Sequence, residues 1–383
     1  MLSENELNAA IKAITDRLDE VNRVFVKKVA KQILTIGEMN QSSINRLVVM
    51  RDMGTDIAEI NHELQLATRL NIKDLMKLYQ KALTETYTDK RFKSFLQSSP
   101  LPLNERDRIT QFAQNVSAQT ARTMLNISNT TAVSQQYQTA VDSAIMAVAT
   151  GLTDYQSATR SIIQDIGYNG LQVQYESGYH RRLDTAVRQN VVDGVNQINQ
   201  NASLMMGEAL GFDAVELSAH LHSAPDHEPV QGRVFLKAEF EKMQAGQDFT
   251  DVDGKRYEGF RRPIGEWNCM HIAMGFSTEH SVRRYTEEQL KQWAADNASG
   301  CEVNGTHMTI YKARQYMRQL ETEVRRQKDT ANAARAVNDD VLRRTCQKKI
   351  NALTQRYYSV AKAAGLTPDG NRLTVQGFKA IKL

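Results

Sequence analysis

The chain has 383 residues, 41% hydrophobic and 24% charged, with 20 Gly and only 6 Pro. That length suits two or three domains, and the composition excludes a broadly disordered chain and an array of tight-turned β-sandwiches in favour of long helices. Three widely spaced cysteines (Cys269, Cys301, Cys346) cannot staple such a fold and point to a reducing compartment. The opening MLSENELNAA lacks the basic-then-apolar order of a secretory signal, and no run of about eighteen apolar residues offers a membrane span.

Net charge is +4, unevenly spread. Between Thr306 and Ala363 stand 13 Lys/Arg against 5 Asp/Glu, so the rest of the chain is acidic. Such a segment suits a polyanion or acidic partner, or simply forms a solvated helical face.

The prolines leave 1–99, 103–224 and 264–367 free for long helices. Leu7, Ile11, Ile14, Leu18, Val21 and Phe25 recur at spacings of four and three, the stripe of an amphipathic helix. Further helices are expected over Ser43–Asp52, Asp56–Arg69 and Ile72–Tyr87, with Gly37 and Gly54 between the first three. A linker at Ser98–Pro102 precedes helical patterning from Glu105 to about Ala149, closed by Gly151. Thr153 can cap a helix over Tyr155–Ile166 that ends at Gly167, and a long helix is expected from Gly178 to Leu210, carrying His180, Arg181, Arg182 and Arg188 in its early turns. From Asp213 the pattern changes: residues 220–280 hold three prolines, six glycines and five of the eight histidines. Short runs at Ala214–Leu217 and Arg233–Leu236 read as strands, which makes this a compact, turn-rich α+β module. Thr286-Glu287-Glu288-Gln289 is a capping box opening a helix that ends near Gly300. Thr309–Ala364 reads as a helical hairpin broken at Asn338-Asp339-Asp340, and Arg372–Val375 as a short extended end. The fold class is therefore mainly α with a small α+β module. The segments are 1–100, 103–212, 213–305 and 306–383.

No Walker loop, dinucleotide fingerprint, H-E-x-x-H or G-x-S-x-G is present. One constellation remains: His220, His222, Asp226, His227, Gln231 and Gly232, then Trp267, Asn268, Cys269 and His271. Three readings compete. His220, His227, Cys269 and His271 could hold a structural zinc ion, Cys269 and His271 facing one way by alternation along a strand. Cys269 could instead be a nucleophile with His227 as base and Asp226 or Asn268 orienting it, giving a Cys-His hydrolase built on residues 218–271, to which a zinc-assisted hydrolase on the same module is the counterpart. In the third, the polar side chains satisfy backbone groups of a turn-rich core.

The strings Val215–His220, Pro225-Asp226-His227, Gln231-Gly232 and Trp267–His271 resemble the phage minor capsid protein 2 family, related in role to Mu-F-like head morphogenesis proteins. The resemblance extends upstream through Gly167–Gly194 and downstream through Tyr311–Gln315 and the basic helix beyond. It departs at Val230, Met270 and Ser223-Ala224-Pro225, where an aromatic, an arginine and an Ala-Arg-Pro run are expected. It implies a structural minor head protein of a tailed bacteriophage, not an enzyme and without a required cofactor. Such a protein is made in the host cytoplasm and held inside the virion head near the portal vertex, without stable membrane insertion. The implied partners are the portal protein, the major capsid protein and double-stranded DNA. The DNA is met non-specifically, with Arg314, Arg318, Arg325, Arg326 and Lys328 as candidate phosphate contacts. A membrane-surface role for the arginine-rich helices is disfavoured by their scarcity of aromatics.

Overall fold

An apolar residue at every third or fourth position makes the first helix. The structure, a computed structural model describing residues 4–38, 43–98, 100–150, 155–267 and 269–383, has α1 over Glu4–Glu38. Ile11, Ile14, Leu18, Val21 and Phe25 are buried along one face of it, and Leu7 is half-buried. The three helices expected next are a single α2, Ser43–Tyr87. Met53, Ile57 and Ile60 carry its inward stripe past Gly54, which is exposed with open space where a Cβ would stand. A lone helical glycine costs only about 1 kcal/mol. Leu64, Ala67, Leu75 and Leu78 carry the stripe past the second expected break, where Asn71 is fully buried. The Asn71 amide donates to the Ile14 carbonyl at 3.2 Å and its oxygen accepts from Arg17 at 2.8 Å.

A short α3 (Lys90–Ser98) precedes α4 (Leu103–Thr130) and α5 (Val133–Thr150), which replace one expected helix. The break has a tertiary cause: Thr131 bridges Val173, and the Gln136 side chain donates to the Gln172 carbonyl at 2.9 Å. Gly151 and Thr153, read as a stop and a cap, lie outside the described residues. α6 (Tyr155–Asn169) runs past its expected end. Gly167 serves close approach there rather than termination, since an added Cβ would stand 2.6 Å from Thr330 Cα. β1 (Gln172–Gln174) and β2 (His180–Arg182) then form an antiparallel hairpin in which Gln172 faces Arg182. His180, Arg181 and Arg182 are thus in a strand, not in the first turns of a helix. α7 starts only at Leu183 and runs to Ala209.

β3 (Ala214–Leu217) is the centre of a three-stranded antiparallel sheet between β4 (Val234–Leu236) and β7 (Ala273–Phe276). Ala214 stands opposite both Leu236 and Phe276. Between β4 and β7 lie α8 (Lys237–Gln244) and the hairpin of β5 (Phe249–Thr250) and β6 (Arg256–Tyr257). Val215, Leu217, Phe235, Phe240, Met243, Phe249 and Ile264 fill the small core. α7 packs on β7 where Gly207 and Gly275 meet: a Cβ on either would lie 2.8 Å from the other's Cα.

α9 (Glu287–Ser299) starts at the predicted cap, Thr286 Oγ1 accepting from Gln289 N at 3.2 Å. It is followed by the hairpin of β8 (Cys301–Val303) and β9 (Thr306–Met308). α10 (Ile310–Ala336) and α11 (Asp340–Ala363) are the helical hairpin, broken where expected: Asn338 takes φ +57° and Asp339 caps α11 through Leu342 N. The end expected to be extended is instead a 3-10 turn over Gly370–Leu373, with Leu373 buried.

The chain forms two units, each drawn from three stretches. One comprises Met1–Ile11, Ile72–Thr123 and Gln189–Lys312; the other comprises Lys12–Asn71, Met124–Arg188 and Ala313–Leu383. Each draws on several of the consecutive segments read from the sequence. The architecture is mainly α with a small α+β module, and that module lies wholly in the first unit.

Candidate functional site

Beyond β3 and β7 the two chains stay together without forming a ladder. Ser218 N donates to the Ile272 carbonyl at 2.9 Å, and Ile272 N donates to Ser218 Oγ at 2.8 Å. This brings His220 beside His271, their rings stacked at 4.4 Å. The segment 224–231 is a chain of tight turns that puts His227 at 0% exposure and Gln231 at 3%.

Cys269 is central. Its Sγ lies 3.3 Å from His227 Nδ1 and 3.5 Å from His271 Nδ1, and it accepts the backbone N–H of His271 at 3.3 Å. The two residues do face one another, but from irregular chain just ahead of β7 and not within a strand. His227 Nε2 donates to the Arg262 carbonyl at 2.8 Å. His271 Nε2 lies 3.3 Å from both Gln231 Oε1 and Ser223 Oγ. Asn196, on α7, ties the Cys269 carbonyl at 2.9 Å.

Burial governs the electrostatics. It pushes the Cys269 thiol up. It pulls His227 down against the Arg262 carbonyl and Asp226, and His271 to about 2, helped by the neighbouring imidazoles. Both imidazoles are therefore neutral near pH 7.

Among the expected residues, His227, Gln231, Cys269 and His271 converge. His220 contributes its backbone N–H to Gln231 Oε1 and its ring to the stack, while its Nδ1 sits 3.1 Å from the Leu221 carbonyl. His222 takes φ +59° in the turn, and Gly232 takes φ +68° beside the Leu290 side chain. Trp267 is 52% exposed and takes φ +49°. Asn268 lies outside the described residues. Asp226, cast as an orienting group, is held by Arg262 through two bonds of 3.0 and 2.7 Å, while its own oxygen is 3.8 Å from His227 Nε2. Ser223, Arg262 and Asn196 join the site without a motif of their own to announce them. Ser223 sat inside a quoted motif, whereas no local signal links Asn196 to a cysteine 73 positions away.

Arg325, Arg326 and Lys328, three of the five candidate phosphate contacts, have partners within the fold. Arg325 pairs with Asp184 at 2.9 Å. Arg326 pairs with Glu323 and stacks over Tyr168 at 4.7 Å. Lys328 donates to the Leu373 carbonyl at 2.7 Å. These three bind within their own unit, Arg314 is half-buried and Arg318 is exposed. On α11, by contrast, Arg344, Lys348, Lys349, Arg356 and Lys362 are exposed, and Asp340 is the helix's one acid.

Among the described residues no helix is long and apolar enough to cross a membrane. No curated protein and no solved structure matches the chain. Residues 2–358 match the description of phage minor capsid protein 2, and this span takes in both units' helices, the turn-rich module and most of the basic hairpin. The chain belongs to the phage minor capsid protein 2 family, structural proteins of the bacteriophage virion.

Proposed function

We propose that this structural head protein acts at the portal vertex, aiding head assembly and DNA packaging or delivery, and that α11 is the surface it turns toward packaged DNA. The observation carrying the DNA reading is the exposed row Arg344, Lys348, Lys349, Arg356 and Lys362 on a helix with a single acid. A cationic face of this kind neutralises phosphates without reading bases. For the protein partner, the support is a pair of leucines: Leu66 and Leu70, 40% and 52% exposed, are one turn apart on α2 and suit an apolar contact with a portal or capsid subunit.

A non-enzymatic role is supported by the cluster itself. A nucleophile must reach its substrate as a thiolate, and Cys269 is 2% exposed with its thiol pushed up by burial.

Duplex binding measured against salt tests the DNA surface. Arg344→Gln, Lys348→Gln and Lys349→Gln together should lower the slope of log affinity against log salt by about 2–3, roughly 0.9 per phosphate contact. An unchanged slope refutes α11 as the contact surface. Cryo-imaging of heads with and without the protein tests the location: density confined to one vertex is expected, and density spread over the shell overturns it.

A further inference from the structure

The buried cluster holds more lone pairs than protons. The Arg262 carbonyl can only accept, so His227 Nε2, 2.8 Å away, carries the ring proton and Nδ1 is bare. Gln231 Oε1 accepts the His220 backbone N–H at 3.1 Å, which fixes which end of that amide is oxygen. The same oxygen lies 3.3 Å from His271 Nε2, and Ser223 Oγ, equally near, turns its own proton to the Ala224 carbonyl at 3.4 Å, so Nε2 donates and that Nδ1 is bare too. Both bare nitrogens face Cys269 Sγ, which already accepts the His271 backbone N–H. One thiol proton cannot serve two lone pairs, and the exposures of His227, His271 and Cys269 are 0%, 2% and 2%.

A cation removes the conflict. We propose that His227 Nδ1, Cys269 Sγ and His271 Nδ1 bind a thiophilic divalent ion of the Zn²⁺ class, which clasps the two turn segments of the module. The three donor atoms lie within 4.8 Å of one another. Zinc–nitrogen and zinc–sulfur bonds of about 2.0–2.1 and 2.3 Å place tetrahedral N and S ligands roughly 3.5 Å apart. The two Sγ···Nδ1 distances are 3.3 and 3.5 Å. Each imidazole already has its outer nitrogen held by an oxygen, the arrangement that orients metal-bound histidine. These donors supply three of the four positions. His220, whose ring lies flat against His271 at 26°, is not among them. Binding converts the Cys269 thiol to a thiolate and releases its proton to solvent, one per ion. The ion is a clasp for the module, so the portal and DNA readings stand or fall separately.

The test uses the full-length chain, purified from zinc-supplemented cells, with metal content by mass spectrometry and Co²⁺ as the optical probe. About one zinc per chain is expected, together with a thiolate-to-cobalt charge-transfer band on Co²⁺ titration. Cys269→Ser should abolish the band, while Cys301→Ser, Cys346→Ser and His220→Ala keep it. Gln231→Leu, which frees the His271 ring, should weaken Co²⁺ binding roughly 10–100-fold. If Cys269→Ser fails to fold, the wild-type chain decides, through its Co²⁺ band and a fall in melting temperature on chelation. Wild-type protein that takes up neither ion and melts identically with chelator overturns the proposal, as does a charge-transfer band that survives in a folded Cys269→Ser variant.

Discussion

Asp184→Asn and Asp19→Asn change the same chemical group in the same buried cluster and should act in opposite directions. Arg182, drawn inward by β2, donates to Asp184 at 3.3 Å and to Asp329 at 2.8 Å, and Arg325 holds the other Asp184 oxygen at 2.9 Å. Asp19 is buried nearby. Three carboxyls thus face two guanidiniums, one acid more than the cations can balance. Burial raises the Asp184 carboxyl, but the two guanidiniums outweigh it and hold it at about 2. Asp19 goes the other way: burial first, then the charges of Asp184 and Asp329, hold it well above the carboxylate range, while Asp329, also raised by burial, is drawn back by its bond to Arg182. A carboxyl at about 2 in the folded chain and about 3.9 in the unfolded one contributes about 2–3 kcal/mol at neutral pH. For a unit of about 200 residues, that is a loss of roughly 5–10 °C in Asp184→Asn.

The pH dependence separates the two. The Asp184 contribution is fully present above the unfolded value and fades as pH falls toward 2, so the deficit of Asp184→Asn should shrink by about half by pH 3. Asp19, raised on folding, opposes stability above its folded value, and that penalty vanishes as pH falls to the unfolded one. Asp19→Asn should therefore melt no lower than wild type at pH 8, with any advantage gone by about pH 4. Thermal melts of the three proteins from pH 8 to pH 3 provide the check. Equal losses in both variants at pH 7 would falsify the assignment of the spare proton to Asp19.

Three further outcomes follow from packing. Gly207→Ala forces a methyl group into the Gly275 backbone at 2.8 Å and should cost about 1–3 kcal/mol by urea denaturation; a neutral result means that α7 can move off β7. Asn71→Ala removes a fully buried amide that bonds the Ile14 carbonyl and Arg17 and should cost about 1–3 kcal/mol by the same assay, against a null result if water replaces the amide. Arg325→Gln, Arg326→Gln and Lys328→Gln together should lower the melting temperature while leaving the salt slope of duplex binding close to wild type; the reverse pattern restores those residues as the phosphate contacts.

Several elements are legible in the sequence because their signal is itself local. The α1 stripe, the β3 bounds at Ala214–Leu217, the Thr286 cap and the Asn338–Asp340 break each depend on a few consecutive residues and their periodicity. The misreadings share a different origin. Gly54 and Gly167 are punctuation in a sequence, yet helix in the fold, one because the buried stripe continues past it and the other because Thr330 packs against its bare backbone. His180–Arg182 joins a strand because it pairs with Gln172–Gln174, which places Arg182 against Asp329, 147 residues away. In the module, sequence order supplied the histidines and Cys269 but not which of their nitrogens face the sulfur. Composition and spacing thus determined the helical class, the turn-rich module and its reactive residue types. Tertiary structure alone decided which arginines are consumed by buried acids, which α11 cations reach solvent, and that His227 and His271 rather than His220 meet Cys269. Those outcomes depend on desolvation and on donor–acceptor pairing between distant segments, and neither is a property of any short stretch of chain.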